Sequence, residues 1–292
     1  MNHQKHIPVL LTEVIDLLKP EKGDSYLDLT AGYGGHAAAI KELLGEDGSM
    51  TLVDRDREAV KALRKVFAKD QNVEIIHNDF LAASQALYES GKKYDVILAD
   101  LGVSSQHLNN PERGFSFNRT GPIDMRMDQE QEFTAEEIVN KFSVDEISEI
   151  LIKYGEIKRA GKLAEHIVKG RPYEDTSQLS KQIARFVGKR KKTDPSTLTF
   201  QAFRIAVNNE LDQLERSLPL WLEILKPGGR LGVISFHSLE DRIVKRFLKD
   251  HGGERYDARL HILTSKPVMG SMKEVVFNPR ARSAKLRVAQ RK

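Results

Sequence analysis

Along the first hundred residues, short apolar runs alternate with longer stretches in which apolar side chains return every three or four positions. YLDLT at 26–30, SMTLVDRD at 49–56, NVEIIHND at 72–79 and YDVILAD at 94–100 predict strands. The stretches between predict helices: TEVIDLLK capped by Thr12, AAAIKELLG, DREAVKALRKVFAK and LAASQALYES. In the third of these, Ala59, Val60, Leu63, Val66 and Phe67 fall on one side as a buried stripe. YDVILAD is apolar without alternation, as a parallel strand covered on both faces should be. Strands alternating with helices predict βαβ units and a parallel sheet.

The alternation stops after Asp100. Residues 101–128 have no clean period and predict a long loop, which inside a compact domain is usually functional. From Thr134 to about Arg216 the pattern is helical only, opened by two capping boxes, Thr134 with Glu137 and Ser143 with Glu146. EIKRAGKLAEHIVKG and SQLSKQIARFVG continue it, GKRKKTDPST breaks it with Pro195 helping to close the break, and TFQAFRIAVNNELDQLERS predicts one further helix. A buried strand returns in LKPGGRLGVISFH. Ser238 can cap SLEDRIVKRFLKD, with Asp241 three residues on, and HILTS, EVVFN and KLRVAQ predict the last strands. The fold expected is therefore α/β, its sheet domain in residues 1–111 and 217–292 and an inserted loop and helical domain in 112–216.

The densest chemistry lies at the end of the first strand, YLDLTAGYGGH, where Gly32, Gly34 and Gly35 crowd into four positions before a helix. Glycine allows positive φ and close approach of backbone to ligand, and strand, turn and helix N-terminus together suit a nucleotide-like cofactor. No glycine stands three after Gly34, so the dinucleotide fingerprint is incomplete. The fit is better to the acidic-x-Gly-x-Gly-x-Gly loop of S-adenosylmethionine enzymes, with Asp28 leading, Thr30 in place of one glycine, then Gly32 and Gly34. Asp54, ending the second strand, can accept bonds from both ribose hydroxyls, as an acid does in NAD sites. His36 is a candidate for the methionine carboxylate, or a histidine of the first helical turn with no ligand. Phe80 is a candidate platform for adenine, with core packing the alternative. Asp100, ending the fourth strand, is placed to accept a hydrogen bond or proton from an amine as methyl transfer proceeds; the plain alternative is a turn aspartate.

Totals narrow this reading. Hydrophobic residues make 40% and charged residues 30% of the 292, ordinary for a soluble protein. No apolar run approaches the roughly 18 residues of a membrane span, and the N-terminus lacks the layout of a signal peptide. Cysteine is absent, which excludes disulfides and thiolate metal sites and disfavours cytosine C5 methylation, a reaction that needs a cysteine nucleophile. A cytoplasmic protein is expected, with no membrane partner. Net charge is only +4, but residues 158–192 carry eleven Lys/Arg against three acids, and 280–292 carry six bases and no acid. Such patches suit a polyanion, although a solvated helix face is the commoner fate of charged runs. Within 101–128, Arg113, Phe115, Phe117, Arg119 and Arg126 interleave with Asp124 and Asp128. Guanidinium and aromatic groups could receive an unstacked base, or the loop could be structural, clamped by Arg–Asp pairs.

DLGVSS, ERGFSF, GPIDMRMD, TFQAFRIAVNNEL, ISFHSLEDRIVK and NPRARSAKLRV together closely resemble the ribosomal RNA small subunit methyltransferase H (MraW) family. The resemblance runs from HIPVLLTEV to the last strand. It implies a Rossmann-like methyltransferase sheet with an inserted all-helical domain. It also implies methylation of N4 of a decoding-centre cytosine, C1402 of 16S rRNA, in the small ribosomal subunit, with S-adenosyl-L-methionine as cofactor. The implied cofactor contacts fall on Gly34, Gly35, His36, Asp54, Phe80 and Asp100. One more aligns with His107, where this chain has Gln106-His107 after the serine pair and the family commonly has Pro-Gln; Gln106 could substitute by a one-residue shift. Asp100 is the candidate catalytic residue, no metal is implied, and a homodimer is possible. Other readings are a methyltransferase with a protein or small-molecule acceptor, an RNA-binding assembly protein with a vestigial cofactor fold, and, last, a NAD-dependent dehydrogenase.

Overall fold

The computed structural model describes residues 8–187 and 195–292, so the basic run at 188–194 lies outside the described residues. Among the described residues the strands are β1 (Ser25–Asp28), β2 (Ser49–Asp54), β3 (Val73–His77), β4 (Tyr94–Asp100), β5 (Leu225–Ser235), β6 (Leu260–Ile262), β7 (Val268–Met269) and β8 (Lys285–Arg291). The helices are α1 (Leu11–Leu18), α2 (Gly35–Leu44), α3 (Arg57–Val66), α4 (Phe80–Glu89), α5 (Ser105–Asn109), α6 (Ala135–Lys141) and α7 (Val144–Gly155). They continue with α8 (Ala160–Lys169), α9 (Thr176–Val187), α10 (Pro195–Asn208), α11 (Glu210–Ile224), α12 (Ser238–His251) and α13 (Met272–Phe277). Two compact units result, Met1–Gly102 with Leu211–Lys292, and Val103–Glu210.

The first unit is built on one sheet in the order β3-β2-β1-β4-β5-β8-β6, with β7 also on β8. β3, β2, β1, β4 and β5 run parallel, and β8 lies antiparallel to β5, β6 and β7. Because strand side chains alternate between faces, the sheet divides its apolar residues between two cores. Leu27, Val53, Ile97, Ala99 and Val233 face one core, closed by α4, α11 and α12 through Leu87, Trp221 and Phe247. Tyr26, Leu52, Val96, Leu98 and Ile234 face the other, closed by α1, α2 and α3 through Leu18, Ile40 and Leu63. Helices on both faces explain why YDVILAD shows no polar alternation. The chain leaves β1 toward β2 on one side, while β4 pairs on the other. In open α/β sheets such a switch point opens a crevice at the strand carboxyl ends.

The second unit holds no strand among its described residues. α6 to α10 and the segment before them enclose a separate core that includes Met125, Ile138, Ile147, Leu163, Ile167 and Phe203.

Several expectations need correction. EVVFN forms α13, not a strand: Ser271 accepts the Glu274 amide at 3.1 Å, a cap that outweighs the β-branched pair. The cap of α12 is His237 rather than Ser238, its Nδ1 accepting from the Glu240 amide while Glu240 Oε2 takes the His237 amide. Thr12 lies inside α1, whose N-cap is Leu10. TFQAFRIAVNNELDQLERS is two helices, broken where Asn209 takes φ +49°. Val66 is exposed, so the α3 stripe is Ala59, Val60, Leu63 and Phe67. Of the two capping boxes only Ser143–Glu146 closes in both directions; Thr134 accepts from Glu137 alone.

Candidate cofactor site at the strand ends

The turn after β1 is held from below by acids. Gly32 has φ +53° and donates its amide to Asp54 Oδ2 at 2.7 Å. The other Asp54 oxygen accepts the Asp56 amide at 2.8 Å, so β2 delivers one carboxylate that shapes two turns. Gly34 has φ +82°, and a Cβ there would lie 3.1 Å from Leu63 and 3.2 Å from Phe67. A side chain at Gly34 would therefore strain the turn and also need Leu63 and Phe67 to give way. At Gly35 a Cβ would stand 3.3 Å from the Pro8 ring, while at Gly32 it would meet only the Thr30 carbonyl, at 3.9 Å.

His36, in the first turn of α2, is buried. Its Nε2 lies 2.9 Å from the Val9 carbonyl, which can only accept, so Nε2 carries the proton. Its Nδ1 lies 3.9 Å from Asp100 Oδ2, beyond hydrogen-bond reach. Asp100 is fixed through its backbone: its amide donates to Thr30 Oγ1 at 2.6 Å, so the threonine that replaces a loop glycine ties β1 to β4. Asp100 Oδ1 is buried without a hydrogen-bond partner among the described residues. Burial first, then the charges of Asp28 and Glu240, push the Asp100 carboxyl well above the ordinary carboxylate range; Arg280 opposes them.

Asp28 is buried beside it, accepting Tyr26 Oη–H at 2.8 Å and the Thr30 amide at 3.2 Å. Desolvation outweighs those bonds and raises its carboxyl to about 7, and the Asp54 charge adds to the rise. Phe80 opens α4 just after its cap Asp79, and its ring meets Trp221 edge-on at 5.8 Å. Gly34, Gly35, His36, Asp54, Phe80 and Asp100 thus all lie in the first unit, at or just beyond the carboxyl ends of β1 to β4. Tyr26, Glu240 and Arg280 were not singled out from the sequence, and Thr30 only as a loop position. The signal for Glu240 and Arg280 was the SFHSLED and NPRARS segments themselves, each carrying charge into a short turn.

His107 belongs to the second unit. Its ring is buried against Phe115, centroids 5.0 Å apart, and its Nδ1 accepts the Ser104 amide at 3.2 Å while Ser104 Oγ takes the His107 amide. Gln106 beside it is exposed. The Arg/aromatic loop is largely structural: Arg113 is buried and donates to the carbonyls of Arg126 and Met127 at 3.0 and 2.9 Å. Arg126 forks onto Asp124 at 2.9 and 2.7 Å, Phe115 is in the core, and Phe117 meets Phe200 edge-on at 5.4 Å. Arg119 is exposed, with one guanidinium nitrogen on the Asn109 carbonyl. Asn208, not anticipated, accepts the Met127 amide and donates to the Met125 carbonyl, both at 2.8 Å.

The sequence profile of the MraW methylase family matches residues 3–292. A protein of Cyanothece sp. named ribosomal RNA small subunit methyltransferase H is 47% identical, over 98% of this chain and 94% of its own. One of the same name from Halothermothrix orenii is 42% identical, over 98% of each chain. Among solved structures, Aeropyrum pernix fibrillarin with natively bound S-adenosyl-L-methionine aligns at 12% identity over 92% of this chain and 67% of that one, with a TM-score of 0.43.

Proposed function

The chain belongs to the MraW methylase family, and from that premise we propose that it transfers a methyl group from S-adenosylmethionine to small-subunit ribosomal RNA. The acceptor in this reading is the N4 amine of the decoding-centre cytosine C1402 of 16S rRNA. Support for the family comes from two relatives above 40% identity over nearly full length. The observation that carries the chemistry is Asp100, a strand-end carboxyl with one buried oxygen that has no partner among the described residues.

The residues present fit the cofactor. A turn with Gly32 and Gly34 at positive φ bends close to any ligand seated above it, and an acid stands at the end of each neighbouring strand. When bound, S-adenosylmethionine supplies an electrophilic methyl on a sulfonium whose departure needs no acid. Asp54 spends one lone pair of each oxygen on the backbone and keeps acceptor capacity for ribose hydroxyls. His36 and the backbone of Gly34 and Gly35 hold the methionine end, and Phe80 packs on the adenine. His107 completes the set on the strength of the resemblance.

Asp100 then has two tasks. As the ionised acid it accepts a hydrogen bond from the exocyclic amine, which fixes the direction of the nitrogen lone pair. As the new N–C bond forms, one N–H proton becomes surplus and passes to the carboxylate. Positioning contributes more than acid–base power in such a displacement, but a base matched to the amine still contributes about 10²- to 10⁴-fold. Arg280 opposes the rise of the Asp100 carboxyl and so favours its ionised form.

Tritiated S-adenosylmethionine tests the reading on small-subunit RNA from a strain lacking its own enzyme. Label at cytosine N4, lost in Asp100→Ala while that variant still binds cofactor, is the expected result. Cofactor binding without label would replace it by the assembly-protein reading, and label elsewhere would reassign the acceptor.

A further inference from the structure

The first unit exposes an apolar surface that its own fold does not use. On α13 and the neighbouring β7, Met272 is 89%, Phe277 84%, Val276 76% and Met269 51% exposed. Val275 turns inward onto the sheet core, and Glu274 is half-buried. Four large apolar side chains exposed within the nine residues 269–277 form the densest such concentration among the described residues.

The surroundings say what kind of partner fits. Lys273 is exposed and stands four residues before Phe277, which on a helix puts ammonium and ring on the same face. Arg282 is exposed just beyond, and residues 278–292 contain no acid. A ring and aliphatic neighbours rimmed by cations describe a stacking platform with phosphate holders, the chemistry of single-stranded nucleic acid recognition. A second copy of the chain would have to bring this basic rim against itself.

The surface also lies beside the reacting end of the sheet. Glu274 Oε1 accepts the Leu10 amide at 2.7 Å, and the adjacent Val9 carbonyl is bound by His36 at 2.9 Å. Two consecutive backbone groups therefore tie the inner side of α13 to the candidate cofactor site. Five residues beyond Glu274, the 3-10 turn Pro279–Arg282 begins, and it brings Arg280 within electrostatic range of Asp100.

We propose that α13 and the turn after it are an RNA-docking element of the first unit, in which Phe277 stacks on an unpaired base flanking the target while Lys273 and Arg282 hold the adjoining phosphates. The proposal rests on the ribosomal-RNA reading above and names a surface that reading does not require.

Fluorescence anisotropy with a labelled single-stranded RNA carrying the target cytosine tests it, alongside calorimetric titration with S-adenosylmethionine. Phe277→Ala should weaken RNA binding about 10-fold, in line with the loss of one base–aromatic stack, with cofactor affinity unchanged. Phe277→Trp should restore it. Lys273→Glu with Arg282→Glu should reduce the magnitude of the slope of log affinity against log salt by about 1.4, near 0.7 for each phosphate contact removed. Since all three side chains are exposed, unchanged cofactor affinity also reports that the variants fold. Wild-type binding and labelling of RNA with no change in these variants would overturn the docking element alone. Failure of the wild type to bind or label RNA would overturn both readings. Unchanged RNA binding with a loss of self-association on sedimentation would assign the surface to a second copy.

Discussion

Asp28 is buried and Asp100 half-buried at the ends of adjoining strands, and the Asp28 charge adds to the cost of ionising Asp100. If Asp100 is the proton acceptor, single-turnover methyl transfer should rise with pH along a limb above the ordinary carboxylate range. Replacing Arg280 by Met removes an opposing charge, so the limb should move to still higher pH; an unmoved limb would separate Arg280 from Asp100. Asp28 acts on stability instead. Its folded carboxyl titrates near 7 against 3.8 unfolded, so between those values the folded chain holds a proton that the unfolded chain has released. Its contribution is fully present below pH 3.8 and is lost as pH rises through 7, a loss of at most about 4 kcal/mol. Thermal unfolding of wild type should therefore decline from pH 4 to pH 7 more than that of Asp28→Asn. Parallel curves would show that Asp28 ionises freely. At this scale the strand-end acids were legible because a polar residue closing an apolar run has few other reasons to be there. The roles of Tyr26 and Thr30 were not, since a hydroxyl carries no mark of the partner it will meet.

Elements were legible wherever burial imposed a period. β4 and the α3 stripe follow from which faces are covered, and the misses occur where a local cap outvotes propensity, as at α13. The segment 101–128 is the harder case, because arginines alternating with aromatics spell both an RNA cradle and a clamped loop. The structure places Arg113, Phe115 and Arg126 in the second kind of role. What distinguishes the two is Asn208, more than eighty residues away, which no local pattern connects to Met125 and Met127. Its amide is buried and serves an amide and two carbonyls, including that of Arg204. Asn208→Ala should leave those groups unsatisfied and cost about 2–3 kcal/mol, read by denaturant unfolding. Hydrogen exchange should rise at residues 122–131. A loss below about 0.5 kcal/mol would mean that water substitutes for the side chain.

Over the whole molecule, the reading of an α/β sheet interrupted by helices followed from a change of period, which is a global property of the string. Each unit carries its own apolar core, so a ligand held by one unit should leave its mark on that unit's strand ends rather than everywhere. Saturation at 100 times Kd stabilises the state that binds by about 2.7 kcal/mol, enough to read amide by amide. Hydrogen exchange with and without S-adenosylmethionine should gain protection at residues 28–36, 54–56, 79–82 and 100–102, the places where backbone and acids form the candidate site. His107 makes a separable claim. Its ring is engaged with Ser104 and Phe115, so cofactor contact there should add protection at 104–109 without disturbing that cap. Gain at the strand ends with none at 104–109 would remove His107 from the cofactor set and leave Gln106, the exposed neighbour, to be tested by substitution. Gain at neither would remove the cofactor from this sheet altogether.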